Sequence, residues 1–181
     1  GLIELRNMTL KYKLKFKFIL MTLLVFKSFA IELTEVFSFT CSHCYNVEAQ
    51  VEQASIAKGV TFIPVPLYDQ QKLSEVAAIN AYFAAISLGK GNLFKRAYFD
   101  AIFIRGLEAY SKEALIYALN QCGLNNKPFF ELAGSKKITA MVNYAVSLAI
   151  KYNVTSTPTF VVNGTTFYEG ENGIQEIFAG S

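Results

Sequence analysis

The chain has 181 residues, 52% of them hydrophobic, with 17 Lys or Arg against 14 Asp or Glu and a formal net charge of +3. That length suits one domain of ordinary size or two small ones. The basic excess is local: residues 1–30 hold six of the 17 bases and one of the 14 acids, so the other 151 residues carry 11 bases and 13 acids, a net of −2. This balance leaves no basic run for nucleic acid, and three cysteines are too few for a disulfide framework.

The N-terminal stretch reads as a leader. Lys11, Lys13, Lys15 and Lys17 precede the apolar run Phe18 to Phe26, and Ser28-Phe29-Ala30 places small residues where a signal peptidase cuts. The run is shorter than the roughly 20 residues needed to span a bilayer. A cleaved secretory signal over residues 1–30 is the expectation, with residues 1–7 upstream of a start at Met8. An uncleaved anchor and a basic cytosolic hairpin are the alternatives. Export implies an oxidising compartment.

Residues 31–39 alternate and then run apolar, as a central strand does. Residues 41–57 fit a helix with Cys44, Val47, Val51 and Ala54 on one stripe, ended by Gly59. Val60 to Pro66 reads as a second strand parallel to the first, closing a βαβ unit, with its prolines limiting pairing at the far end. From about 72 to 152 the pattern is helical throughout. Leu73, Val76, Ala77, Phe83 and Ile86 suit a helix ending at Gly89, and Leu93, Phe94, Ala97, Phe99 and Ile102 suit another. Ser111 is an N-cap, Gly123 a C′ residue, and Ile138, Met141, Val142, Ala145, Val146, Ala149 and Tyr152 form an amphipathic stripe closed by Asn153. Thr159–Val162, Asn163-Gly164 and Thr165–Tyr168 then form a hairpin signal, and Glu171 to Ala179 a short last helix.

The chemistry centres on Cys41-Ser42-His43-Cys44. A strand running into a helix puts Cys41 at the helix N-terminus, where free backbone N–H groups and the dipole stabilise a thiolate. Three readings stand: a redox pair, a structural disulfide, or half a zinc site. No second cysteine pair completes a metal site, and so short a loop makes a poor staple. His43 is either a bystander or a cation favouring the Cys41 thiolate. Cys122 reads as a buried inert thiol, with a redox role as the alternative. Pro158 opens the later strand, as an ordinary trans proline or as a cis one.

The stretch Glu35 to Glu48 around the CxxC, the helical block, and Val154 to Gly164 with Thr157-Pro158 together resemble the DsbA family of periplasmic thiol:disulfide oxidoreductases. The resemblance covers nearly all of residues 32–178. It implies an α/β thioredoxin fold with an inserted all-helical domain, the thioredoxin-like part formed by 31–71 and 153–181 and the insertion by 72–152. It further implies Cys41 as the exposed nucleophile, Cys44 as the buried resolving partner, and Pro158 as a cis-proline facing the disulfide. Thr157 and Ser42 are then assigned to substrate binding, Glu35 to proton transfer at Cys44, and Glu48 to a proton relay or a solvated surface position. Two departures stand out. Ser42 replaces the Pro of the best-known members, which leaves the oxidising power open. Pro64 occupies the strand position where a basic residue is often found, which leaves the acids without a partner.

The expected function is donation of the Cys41–Cys44 disulfide to reduced exported proteins by a periplasmic monomer, with no metal and no cofactor. The resemblance also implies reoxidation by a DsbB-type membrane protein. A reductase or isomerase of the same superfamily and a secreted binding module without turnover are the rivals.

Overall fold

The computed structural model describes residues 30–179. The leader reading over residues 1–30 thus lies almost entirely outside the described residues. Strand β1 (Ile31–Phe37) leads into helix α1 (Ser42–Ser55), which returns the chain to β2 (Val60–Pro66). Five helices follow: α2 (Leu73–Ser87), α3 (Gly91–Phe103), α4 (Lys112–Gln121), α5 (Lys127–Ala133) and α6 (Lys136–Tyr152). The hairpin β3 (Thr159–Val162) and β4 (Thr166–Glu169) and a last helix α7 (Gly173–Phe178) complete the fold.

The four strands lie in the order β2-β1-β3-β4, with β2 parallel to β1 and both β1–β3 and β3–β4 antiparallel. The parallel step is the βαβ unit expected from residues 31–66. The prolines do not shorten it, contrary to expectation. Pairing runs through Glu35 opposite Pro64 to Phe37 opposite Pro66, and Leu67 N then donates to Phe37 O at 2.7 Å. In a parallel pair alternate residues bond the same neighbour. Pro64 and Pro66 therefore occupy the register whose missing N–H faces away from β1, where a proline is tolerated.

Local signals account for most element ends. Ser111, Asn126 and Ser135 cap α4, α5 and α6 by accepting from Ala114 N, Phe129 N and Ile138 N. Asn153 closes α6 in the left-handed conformation, φ 48°. Asn163 and Gly164, φ 50° and 71°, form the hairpin turn, with Thr165 N donating to Val162 O at 3.1 Å. Such a pair of positive φ values matches the twist of the flanking strands.

Two apolar clusters sandwich the sheet. Leu33, Val47, Val51, Ala54, Phe160 and Ile174 join β1 and β3 to α1 and α7. The larger cluster joins Val36, Phe37 and Phe39 to α2, α3, α4 and α6. Phe39 has ring centroids of Phe37, Tyr82 and Tyr98 at 5.2, 5.7 and 4.6 Å. The segment that delivers Cys41 is thus clamped by aromatic rings of α2 and α3. Leu73, the first residue of the helical spacing read for this stretch, opens α2 but is exposed.

Candidate active site

Cys41 is the N-cap of α1, with extended backbone at φ −90° and ψ 112°. Its Sγ accepts from Cys44 N at 3.2 Å, so one of the helix's unpaired donors is aimed at the sulfur. The same Sγ donates to Thr157 O at 3.3 Å. The Thr157–Pro158 peptide is cis, and Pro158 is buried while Thr157 is half-buried. Residues 116 positions apart are therefore brought into contact, as a CxxC facing a proline loop requires.

The two thiols differ in setting. Cys41 is half-exposed and Cys44 fully buried, both as free thiols. Burial pushes the Cys44 thiol well above the usual thiol range, aided by its hydrogen bond to Cys41 and by the charge of Glu35. Ser42 and His43 are exposed on the first turn of α1. His43 Nδ1 lies 2.5 Å from Glu171 Oε1, which also accepts from Asn46 Nδ2 at 2.8 Å. Cys122 is buried at the C-terminus of α4, and burial raises its thiol.

Glu35 and Glu48 are both buried, at 0% and 6% exposure, which removes the solvated reading of Glu48. The expectation that they lack a basic partner is overturned. Lys95 of α3, itself 1% exposed, places Nζ 2.7 Å from Glu35 Oε2 and 2.6 Å from Glu48 Oε2. The first contact is a hydrogen bond; the second is an ion-pair contact without hydrogen-bond geometry. The ammonium also lies 4.3 Å from the centre of the Phe37 ring. A strand-by-strand reading looks for this cation at position 64, whereas the fold supplies it from a helix 31 residues further on. The available signal was Lys95 itself, a charge on the helix face shared with the buried Phe94, Tyr98 and Ala101. Burial of a charge on such a face demands a partner.

One cation facing two carboxylates leaves the site short of positive charge. Desolvation raises the Glu35 carboxyl despite Lys95, and it raises Glu48 to about 7 against the same counter-charge. The two acids in turn raise the Lys95 ammonium above its ordinary value, outweighing its own desolvation. Lys95 is therefore charged at neutral pH, where Glu48 is close to its own midpoint. Glu35 Oε1, the oxygen not engaged by Lys95, has no hydrogen-bond partner among the described residues.

A helix-capping cysteine beside a cis-proline, on a sheet of order β2-β1-β3-β4 with a five-helix insertion after β2, defines a thioredoxin fold with a helical insertion. The profile of the DSBA-like thioredoxin domain matches residues 32–177, and the chain belongs to that family. It is 26% identical over 136 residues to the thiol:disulfide interchange protein DsbA of Azotobacter vinelandii, covering 74% of this chain and 63% of that one. It is 27% identical over 138 residues to DsbA of Pseudomonas aeruginosa, covering 74% and 64%. The chain thus spans less than two thirds of the length of these relatives. Among solved structures, oxidoreductase DsbA from Xylella fastidiosa superposes with a TM-score of 0.68 at 25% identity, covering 83% of each chain. A variant of Pseudomonas aeruginosa DsbA gives 0.68 at 25% identity, over 86% of this chain and 85% of that one.

Two outcomes follow from the buried charges. Lys95→Met leaves two carboxylates without their cation and should cost about 3–5 kcal/mol at pH 7. Urea unfolding should find a smaller loss at pH 5, where Glu48 is protonated. The second outcome concerns Glu48, whose carboxyl in the folded chain is raised to about 7 from an ordinary value of 4.5. The folded state then binds more protons than the unfolded state between those values, so stability falls as pH rises through that window. Relative to Glu48→Gln, the native chain should lose about 2–3 kcal/mol between pH 4.5 and 7.5. Parallel pH profiles of the two proteins would contradict this.

Proposed function

We propose that the chain is a periplasmic thiol:disulfide oxidoreductase that donates the Cys41–Cys44 disulfide to reduced exported proteins. The observation that carries the proposal is the asymmetry of the pair. Cys41 is half-exposed at a helix N-terminus beside Thr157 and Pro158, and Cys44 is buried, with its thiol form favoured by burial and by Glu35.

The cycle balances on these residues. A substrate thiolate attacks Cys41 Sγ, the Cys41–Cys44 bond breaks, and Cys44 leaves as a thiolate. Cys44 takes up a proton, for which the Glu35 and Glu48 carboxyls are the nearby store. A second substrate thiolate then attacks the substrate sulfur of the mixed disulfide and expels Cys41. The Cys44 N–H stabilises the departing Cys41 sulfur through a charge-assisted hydrogen bond. Two substrate thiols are oxidised to one disulfide, and two electrons reside on the cysteine pair. Their onward transfer falls to a DsbB-type membrane protein.

Thr157 and Ser42 flank the sulfur and would receive an extended substrate segment through its backbone, a mode that tolerates many side chains. Neither needs a metal or a cofactor. Residues 72–152 act as a helical domain that holds the β1–α1 segment, and residues 1–30 act as the export signal.

The test is equilibration of the pair with glutathione, followed by thiol trapping. An oxidase should poise well above thioredoxin, whose couple lies near about −270 mV, and at or above the disulfide isomerase value of about −180 mV. A thioredoxin-like potential would move the chain to the reductases. Failure to exchange at all would leave a binding module.

A further inference from the structure

The cluster His43, Asn46 and Glu171 is not used by the cycle above, yet it sits at the same helix terminus as the reacting sulfur. Glu171 lies in the turn between β4 and α7, 128 residues from His43. That turn is fixed to the redox site through its backbone. Gly170, at φ 76°, donates its N–H to Pro158 O at 2.8 Å, so the residue before Glu171 is tied to the proline facing Cys41. Gly173 closes the turn by donating to Gly170 O at 3.1 Å. A Cβ on Gly173 would meet Phe160 Cδ2 at 3.0 Å and Tyr168 backbone at 3.1 Å, so the turn lies tightly on the hairpin.

From this anchored turn the Glu171 carboxylate reaches across to the first turn of α1. Its Oε1 accepts from Asn46 Nδ2 at 2.8 Å and faces His43 Nδ1 at 2.5 Å. His43 and Asn46 are three residues apart and share one helix face. A carboxylate can only accept, so the ring proton resides on Nδ1. The hydrogen bonds from His43 and Asn46 hold the Glu171 carboxyl below its ordinary value, which keeps it ionised at neutral pH.

We propose that Glu171 is a positioning and charge-setting residue for the redox pair: it fixes the His43 ring and lowers the oxidising power of Cys41–Cys44. The sequence alone leaves His43 as a bystander or as a cation that favours the Cys41 thiolate. With Glu171 bound to it, the charge added at the α1 N-terminus is zero when the imidazole is protonated and −1 when it is neutral. Without Glu171 the same two states carry +1 and zero. For a ring held in either protonation state, Glu171 removes one unit of positive charge at the helix terminus that Cys41 caps. A less stabilised thiolate means a less favoured reduced form, hence a weaker oxidant. The inference rests on the proposed cycling of Cys41 and Cys44.

Glu171→Gln removes the charge and keeps an amide oxygen for the two donors, so the turn keeps its contacts. Its glutathione equilibrium should shift about two- to tenfold toward the reduced pair, as expected for a unit charge acting through a partly wet path. The shift should shrink when salt is raised from about 0.1 M to 1 M and the screening length falls from about 10 Å to 3 Å. An unchanged equilibrium constant at low salt would overturn the proposal. So would a shift of equal size at both salt concentrations, which marks a change of shape rather than of charge. If the native protein itself does not equilibrate with glutathione, it is the cycling of Cys41 and Cys44 that fails.

Discussion

The ion pair of Lys95 with Glu35 and Glu48 is the constraint on which the rest of the structure turns. Desolvating a carboxylate or an ammonium costs several kcal/mol after relaxation. Two buried acids, one on β1 and one on the active-site helix, are tolerable only with a cation of good geometry. Lys95 arrives from α3, so the helices after β2 are more than a decoration on the sheet. The ammonium rests on the ring of Phe37, the last residue of β1, and the aromatic clamp around Phe39 holds the same segment. Charge and packing thus converge on the few residues that present Cys41.

A single cation for two acids also has a chemical consequence. Desolvation holds both carboxyls above their ordinary range, and the charge of Glu35 in turn raises the Cys44 thiol. Glu171 sits against His43 at the exposed end of the same helix, which Cys41 caps. The redox pair therefore lies between a buried acid store on the Cys44 side and a surface carboxylate on the Cys41 side. The cation set against the first, Lys95, and the carboxylate of the second, Glu171, both come from segments remote in sequence from the CxxC.

Local features of the fold were legible in the sequence for physical reasons. The CxxC at the α1 terminus, the Ser111 cap, the stripe of α6 and the Asn163-Gly164 hairpin all depend on residues within a few positions of one another. What escaped was tertiary. Lys95 finds its partners across the interface of α3 with β1 and α1, and Glu171 reaches His43 across 128 residues. Helix α5 also escaped: it is seven residues long, and Phe129 is its one buried residue. Pro64 was seen, but its meaning depends on which way its missing N–H faces, a property of strand register.

Burial lifts the Glu35 and Glu48 carboxyls above the ordinary carboxylate range even though Lys95 opposes it. Carboxyl carbon-13 titration of the glutamates in the reduced protein tests it most directly. The account predicts that Glu48 titrates near pH 7, apart from the exposed glutamates at about 4.3, and that Glu35→Gln lowers its midpoint. A protein in which every glutamate titrates below about pH 5 would contradict it.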